Sequence, residues 1–253
     1  MQLPDFSVTG RRVLLTGSGR GIGLAIAQSL AAGGAMVAIQ DIDETVAKAE
    51  ADAINAAGGK AVGLGGDLAD LSLPEKLIEQ MTAAFGGIDV LVNNASIQTQ
   101  AKFHEHSVED MRRQLDVNIL AATHLCQLVL PQMQERRWGR IINFSSIQAK
   151  GGNPGMPAYA MSRAAMENLT RGLGRRFARD GVTVNCVAPG WFNTFRNREQ
   201  FPDDKALQDA GKHVPAGRIG RADDCNGVVI LLCSAAGEYI TGQTIHVDGG
   251  MSA

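Results

Sequence analysis

Between positions 145 and 163 the chain carries side chains of the types and spacing that could do acid/base chemistry. Ser145 and Ser146 end an apolar run of Ile141, Ile142 and Phe144; after a Gly/Pro-rich bend come Tyr159 and, four residues on, Arg163. On a helix, positions i and i+4 share a face, so the phenol and the guanidinium can point into one cleft. A phenol, with an ordinary pKa near 10, serves as an acid or base at neutral pH only where a nearby cation stabilises the phenolate. Other chemistries fare worse. No G-x-S-x-G elbow surrounds Ser145 or Ser146, which argues against a serine hydrolase. His104 and His106 stand two apart and His124 lies in an apolar helical stretch, none of them with cysteines or carboxylates at ligand spacing, so no metal site is expected.

A second constellation lies near the start. Val13-Leu14-Leu15 is followed by Thr16-Gly17-Ser18-Gly19-Arg20-Gly21-Ile22-Gly23 and then by helical periodicity at Leu24, Ala27, Leu30 and Ala31. Glycines at 17, 21 and 23 allow a tight turn and a close approach, and the helix that follows aims unsatisfied N–H groups at an anion such as a pyrophosphate. Placed after a strand and before a helix, the turn predicts dinucleotide binding. Asp41 ends the next apolar run, 24 positions after Gly17, where a carboxylate can accept from both adenosine ribose hydroxyls. It would repel a 2′-phosphate: two unit charges ~4 Å apart at an effective dielectric near ~20 interact by about 4 kcal/mol. Arg20 could offset this by pairing with a phosphate, but Asp41 stands at the ribose. NAD is therefore expected, with NADP less favoured.

The elements that must position these residues follow from pattern. Short apolar runs at Val13–Leu15, Met36–Ile39, Ala61–Leu64, Val90–Val92, Arg140–Phe144, Val182–Val187 and Thr244–Val247 read as strands of a parallel sheet buried on both faces. Helical stretches separate most of them: Leu24–Ala31, Thr45–Ala57, Pro74–Phe85, Val108–Gln134, Ala158–Ala178 and Asp223–Ala235, with Trp191–Gly220 irregular. Strands alternating with helices give a single-domain α/β fold spanning 1–253, a doubly wound, mainly parallel seven-stranded sheet of Rossmann type. No linker, repeat or low-complexity tract interrupts it.

Composition narrows the partners. The 253 residues are 45% hydrophobic and 20% charged, a globular balance, and a net charge of -2 gives no electrostatic reason to expect nucleic acid or an anionic membrane. No apolar run approaches the ~18 residues needed to span a bilayer, and no signal pattern opens the chain. Cys126, Cys186, Cys225 and Cys233 are scattered in apolar segments without C-x-x-C spacing, which suits buried thiols in a reducing cytoplasm.

Taken together, Thr16 through Gly23, Asn93-Asn94-Ala95, and Ser146 with Tyr159 thirteen residues later make the chain resemble the short-chain dehydrogenase/reductase family over essentially its whole length. The resemblance implies Tyr159 as general acid in carbonyl reduction and general base in alcohol oxidation, with Ser146 bonding the reacting oxygen and Asn118 organising a water. It implies a cofactor site of Gly17, Ser18, Arg20, Gly21, Ile22, Gly23, Asp41, Asp67, Leu68, Asn94, Ala95, Tyr159, Arg163, Pro189, Gly190 and Thr194. A substrate lid is implied at about 191–217, carrying Trp191, Asn193, Arg196, Arg198, Glu199, Lys205, Lys212 and His213, with Gln98, Gln100, Gln148, Lys150 and Asn153 nearby. So many polar groups around a cleft would suit a sugar, polyol or hydroxy acid. A homotetramer or homodimer is implied by the Val247-Asp248-Gly249-Gly250 end.

Two positions depart from the family pattern. Ser96 replaces the glycine of Asn-Asn-Ala-Gly, and Arg163 replaces the lysine of Tyr-x-x-x-Lys. Arginine keeps the charge and can fork onto two ribose hydroxyls, but it effectively never gives up its proton. The expectation is an NAD(H)-dependent alcohol/ketone oxidoreductase of reduced activity; the alternative is a catalytically weak or inactive dinucleotide-binding sensor or scaffold.

Overall fold

The structure, a computed structural model, describes residues 4–197 and 203–253. Its elements run β1 (Arg12–Leu15), α1 (Gly21–Ala32), β2 (Met36–Asp41), α2 (Glu44–Ala56), β3 (Lys60–Gly65), α3 (Leu73–Phe85), β4 (Val90–Asn93), α4 (Val108–Leu115), α5 (Ala121–Glu135) and β5 (Gly139–Phe144). After these come α6 (Gln148–Gly151), α7 (Pro157–Phe177), β6 (Val182–Pro189), β7 (Phe192–Asn193), α8 (Asp204–Gly211), β8 (Gly220–Arg221), α9 (Asn226–Cys233) and β9 (Thr244–Val247).

Seven strands form one sheet in the order β3-β2-β1-β4-β5-β6-β9, with every pair parallel. Parallel strands buried on both faces must be apolar at consecutive positions, and the core shows why. Val13, Leu15, Ile39, Val92, Ile142 and Phe144 pack on one side with α1, α2 and α9, through Ile26, Leu30, Ile54, Val229 and Leu232. Leu14, Ala38, Leu91, Ile141 and Val184 pack on the other side against Leu77 and Met81 of α3 and Leu125 and Val129 of α5. The strand order reverses between β1 and β4, which opens a crevice beyond their C-terminal ends.

Local chemistry sets the helix ends. Asp43 caps α2 by accepting from Thr45 N and Val46 N, Ser107 caps α4 by accepting from Asp110 N, and Pro157 occupies the first turn of α7. The expected helix over Val108–Gln134 is interrupted by a π turn, Asp116–Leu120. The irregular stretch expected at Trp191–Gly220 contains α8 and the two-stranded β7–β8 ribbon; Asp203 caps α8 by accepting from Ala206 N. The helix expected over Asp223–Ala235 starts as a tight turn, Ala222–Cys225, before α9, and Gln148–Gly151 coils into α6 where a loop was expected. Among the described residues no helix is long and apolar enough to cross a membrane.

Candidate active site

One cleft, a cavity of about 410 Å³, lies beyond the C-terminal ends of β1, β2, β4, β5 and β6. Its floor is the glycine turn. Asn94 Nδ2 donates to Thr16 O (3.0 Å) and Gly17 O (2.8 Å), while Asn94 N and Ala95 N both donate to Thr16 Oγ1 (3.1 Å each). Gly17 has φ +59°, and a Cβ there would sit 2.7 Å from Ala95 Cα. At Gly23 a Cβ would come within 2.6 Å of Asn94 Nδ2, so glycine is needed for the clamp to close. Gln40, buried and not anticipated from sequence, staples the turn from beneath: its Oε1 accepts from Gly17 N (3.1 Å) and its Nε2 donates to Gly66 O (2.8 Å). Ser18 is also buried, with Oγ donating to Leu15 O (2.9 Å), so its hydroxyl faces the fold and not the cleft.

Beyond this floor, α1 begins with no side-chain cap and no acidic residue in its first turn, leaving N–H groups for an anion. Asp41 is half-buried at the end of β2, beside Gly19, where a Cβ would lie 2.6 Å from Asp41 Oδ2; the carboxylate accepts from Asp43 N (3.1 Å). Asp67 accepts from Ala69 N (2.9 Å) and from Arg113 Nη2 (2.8 Å). Burial pushes its carboxyl up, but these partners prevail and hold it below the usual carboxylate range. Leu68 lines the same end, joined by Ile42, whose exposed side chain sits on the rim, and by Arg113; neither Ile42 nor Arg113 was singled out in the sequence.

At the other end β5 and α7 bring the candidate reactive groups together. Ser145 and Ser146 diverge: Ser145 Oγ donates to Glu167 Oε1 (2.9 Å) or Arg163 O (3.2 Å), whereas Ser146 Oγ accepts from Gln148 N (3.2 Å). Tyr159 and Arg163 line the cleft together, the guanidinium carbon 4.8 Å from the Tyr159 ring centroid. Arg163 is 1% exposed; its Nη1 donates to Phe144 O (2.8 Å), and its Nε and Nη2 are buried without a protein partner. A buried guanidinium with two unmet donors is costly unless something else accepts from them.

Asn118 sits in the π turn. Its Oδ1 accepts from Ile97 N (2.8 Å) and its Nδ2 donates to Ile97 O (2.9 Å) and Ser162 Oγ (3.2 Å). Ser162 Oγ in turn donates to Tyr159 O (2.7 Å). The amide is thus fully engaged with protein and ties Ile97 to the turn that bears Tyr159.

Pro189, Gly190, Trp191 and Thr194 complete the wall after β6, and Gln98 and Gln148 face the same space. Asn193, Lys205, Lys212 and His213 are exposed and do not line it; Gln100 and Lys150 are also exposed, and Asn153 accepts from Gly155 N (2.9 Å). Arg198 and Glu199 lie outside the described residues, as does the Arg196 side chain.

A dinucleotide fits this arrangement: the turn leaves no room for a Cβ at Gly17, Gly19 or Gly23, the α1 N-terminus has no side-chain cap, and the two unmet Arg163 donors need acceptors. Similarity agrees. A family model described as enoyl-(acyl carrier protein) reductase matches residues 17–252. The chain is 37% identical over 248 residues to 3-oxoacyl-[acyl-carrier-protein] reductase FabG of Aquifex aeolicus, covering 98% of this chain and 99% of that one. It is 33% identical over 253 residues to gluconate 5-dehydrogenase of Gluconobacter oxydans, covering 100% and 99%. The solved structure of a gluconate 5-dehydrogenase from Burkholderia cenocepacia in complex with NADP and tartrate superposes with a TM-score of 0.91 at 38% identity, covering 98% of this chain and 97% of that one.

Proposed function

The chain belongs to the short-chain dehydrogenase/reductase family, the NAD(P)-dependent oxidoreductases, and from that premise we propose that it interconverts a secondary alcohol and a ketone with NAD(H), on a sugar, polyol or hydroxy acid. The observation that carries the reading is Tyr159 beside Arg163 at the mouth of β5, with two guanidinium nitrogens unmet and Ser146 on the same cleft. A nicotinamide bound here would supply the hydride chemistry, as acceptor from the alcohol carbon in oxidation and as donor to the carbonyl carbon in reduction. Tyr159 takes the hydroxyl proton in oxidation and returns it in reduction. Ser146 hydrogen-bonds the reacting oxygen and holds it toward the phenol. Arg163 stabilises the phenolate by its charge, and its unmet Nε and Nη2 would hold the nicotinamide ribose; it does not carry the proton onward, because arginine stays protonated.

The rest of the cofactor is held by this chain's own groups in order along the cleft. Backbone N–H groups from Gly21 to Gly23 would hold the pyrophosphate, with Arg20 beside them, and Asp41 would accept from the adenosine ribose. Asp67, Leu68 and Ile42 border the adenine. Asn94 and Ala95 shape the floor, and Pro189, Gly190 and Thr194 meet the nicotinamide amide. Asp41 is the reason for preferring NAD, although the Burkholderia relative was solved with NADP. Gln98, Gln148 and Trp191 support a polyhydroxylated substrate, since amides pair with hydroxyls and an indole face stacks on a sugar's C–H face. Trp191, Thr194, Phe195 and Asn197 line the cleft and support a substrate cover that begins at 191, on a single domain. Exposed Leu120 and Met161 support association into a homodimer or homotetramer, and four buried free thiols suit a reducing cytoplasm.

A second reading, a dinucleotide-binding protein without turnover, is favoured by the same Arg163. Nicotinamide absorbance separates the two. The purified chain is assayed with NAD and NADP in parallel on D-gluconate, xylitol, sorbitol, a 3-oxoacyl thioester and a 3β-hydroxysteroid. Measurable NAD-linked turnover on a polyol or sugar acid, lost by at least about a hundredfold in Tyr159→Phe with NADH binding retained, is the expected result. NADH binding with no turnover on any compound would sink the enzymatic reading in favour of the second.

A further inference from the structure

We propose that His106 is a positioning residue that latches together the segments walling the substrate mouth; its kinetic consequence rests on the oxidoreductase reading above, its structural consequence does not. Two of the wall residues, Ile97 and Gln98, come from the segment after β4, and Met156 comes from the bend just before α7. Neither segment belongs to the sheet, so each needs an anchor. Ile97 has one in Asn118, which bonds both its N–H and its carbonyl. Thr99, just past Gln98, has another, its Oγ1 donating to Asp110 Oδ1 (2.8 Å). Asp110 is itself fixed: its Oδ2 accepts from Gln114 Nε2 (2.7 Å), and its backbone N–H donates to the Ser107 cap (3.0 Å).

Among the described hydrogen bonds, the bend before α7 meets this frame at the Gly155 carbonyl. It accepts from Ala101 N (3.1 Å) and from His106 Nε2 (3.2 Å). A carbonyl only accepts, so Nε2 carries a proton, and Nδ1 faces Asp110 Oδ2 at 4.0 Å. The imidazole is 1% exposed, so no water competes for the bond. Gly155 precedes Met156 and stands four residues before Tyr159. Asn153 closes the bend from its other side, with Oδ1 accepting from Gly155 N (2.9 Å) and its carbonyl from Met156 N (3.0 Å). His106 thus ties the helix that carries Tyr159 to the wall that carries Gln98, without itself lining the cleft.

Two variants test this in the full-length chain. His106→Phe keeps a ring of similar size and removes the donor; His106→Gln returns an amide N–H at the same number of bonds from Cα. In His106→Phe, deuterium uptake at the Ala101 amide and across residues 153–156 should rise at least about fivefold in rate, the effect of losing one neutral hydrogen bond. KM for the best-used compound of the panel should rise about fivefold, with kcat and NADH affinity within about twofold of the parent. His106→Gln should restore most of both. Native uptake and native KM in His106→Phe would overturn the proposal. So would a parallel fall in kcat, NADH affinity and melting temperature, or a well-folded His106→Gln no better than His106→Phe. If the parent turns over none of the panel, the oxidoreductase reading fails, while the exchange rates alone still decide for or against the latch.

Discussion

On the proposed oxidoreductase reading catalytic competence turns on Arg163, and its surroundings say which half of a lysine's role it could keep. Nη1 is spent on Phe144 O, the guanidinium lies 4.8 Å from the Tyr159 ring centroid, and Nε and Nη2 are left for a ligand. Charge beside the phenol is retained and proton release is not. If the charge is what matters, Arg163→Lys should leave kcat within about tenfold, whereas Arg163→Met should cost about a hundredfold or more, the scale of removing one preorganised electrostatic partner. The half-maximal pH for alcohol oxidation should also move up in Arg163→Met, because a phenol without a cation ionises at higher pH. Equal rates in all three proteins would show that the guanidinium does not assist Tyr159. The sequence carried the i, i+4 relation of Tyr159 and Arg163 directly. It could not show that Asn118 spends its whole amide on Ile97 and Ser162, because those partners come from distant segments.

At the scale of elements, the strands were legible because parallel strands buried on both faces must be apolar throughout, as Val13–Leu15 and Val90–Val92 are. The π turn at Asp116–Leu120 was not, since it has no local signature and coincides with the place where Asn118 reaches back to Ile97. The start of α8 did have one, the Asp203 cap, overlooked within a stretch of mixed charge. What holds β1 to β4 at the end remote from the site is also electrostatic. Asp89 accepts from Arg12 N (3.1 Å), Nε (2.8 Å) and Nη2 (2.6 Å), with Arg136 Nη2 at 3.6 Å. Burial pushes the Asp89 carboxyl up, but the Arg12 bonds outweigh it and hold the group below the usual carboxylate range. A carboxyl depressed on folding contributes stability above its unfolded pKa and loses it as pH falls through the folded value. Asp89→Asn should therefore lower stability at pH 7 by about 1–3 kcal/mol, read as a lower urea midpoint. The gap from the parent should narrow as pH drops below ~4, the ordinary carboxylate value. A gap unchanged down to acid pH would mean that Asp89 acts by packing and not by charge.

Across the whole molecule, the sheet and its two helical layers join the cofactor cleft to regions far from it, and the four cysteines report on that union. Cys126 on α5 lies in the layer against one face of the sheet, Cys225 just before α9 and Cys233 at its end lie on the other, and Cys186 is in β6. All four are buried and free, and burial pushes each thiol up to about 12. Since the thiolate is the nucleophile, none should react with a disulfide reagent at pH 8 while the fold is closed, and all should react in denaturant. Slow labelling of the native protein then measures opening. If both layers open only with the sheet, the four thiols share one rate, and a cofactor that binds only the closed form slows them all alike. NADH at about a hundred times its Kd should do so by about a hundredfold, corresponding to about 2.7 kcal/mol. Mass spectrometry resolving the labelled peptides checks this. Cys225 and Cys233 labelling ahead of Cys126, without protection by NADH, would show that the α9 layer opens independently of the site.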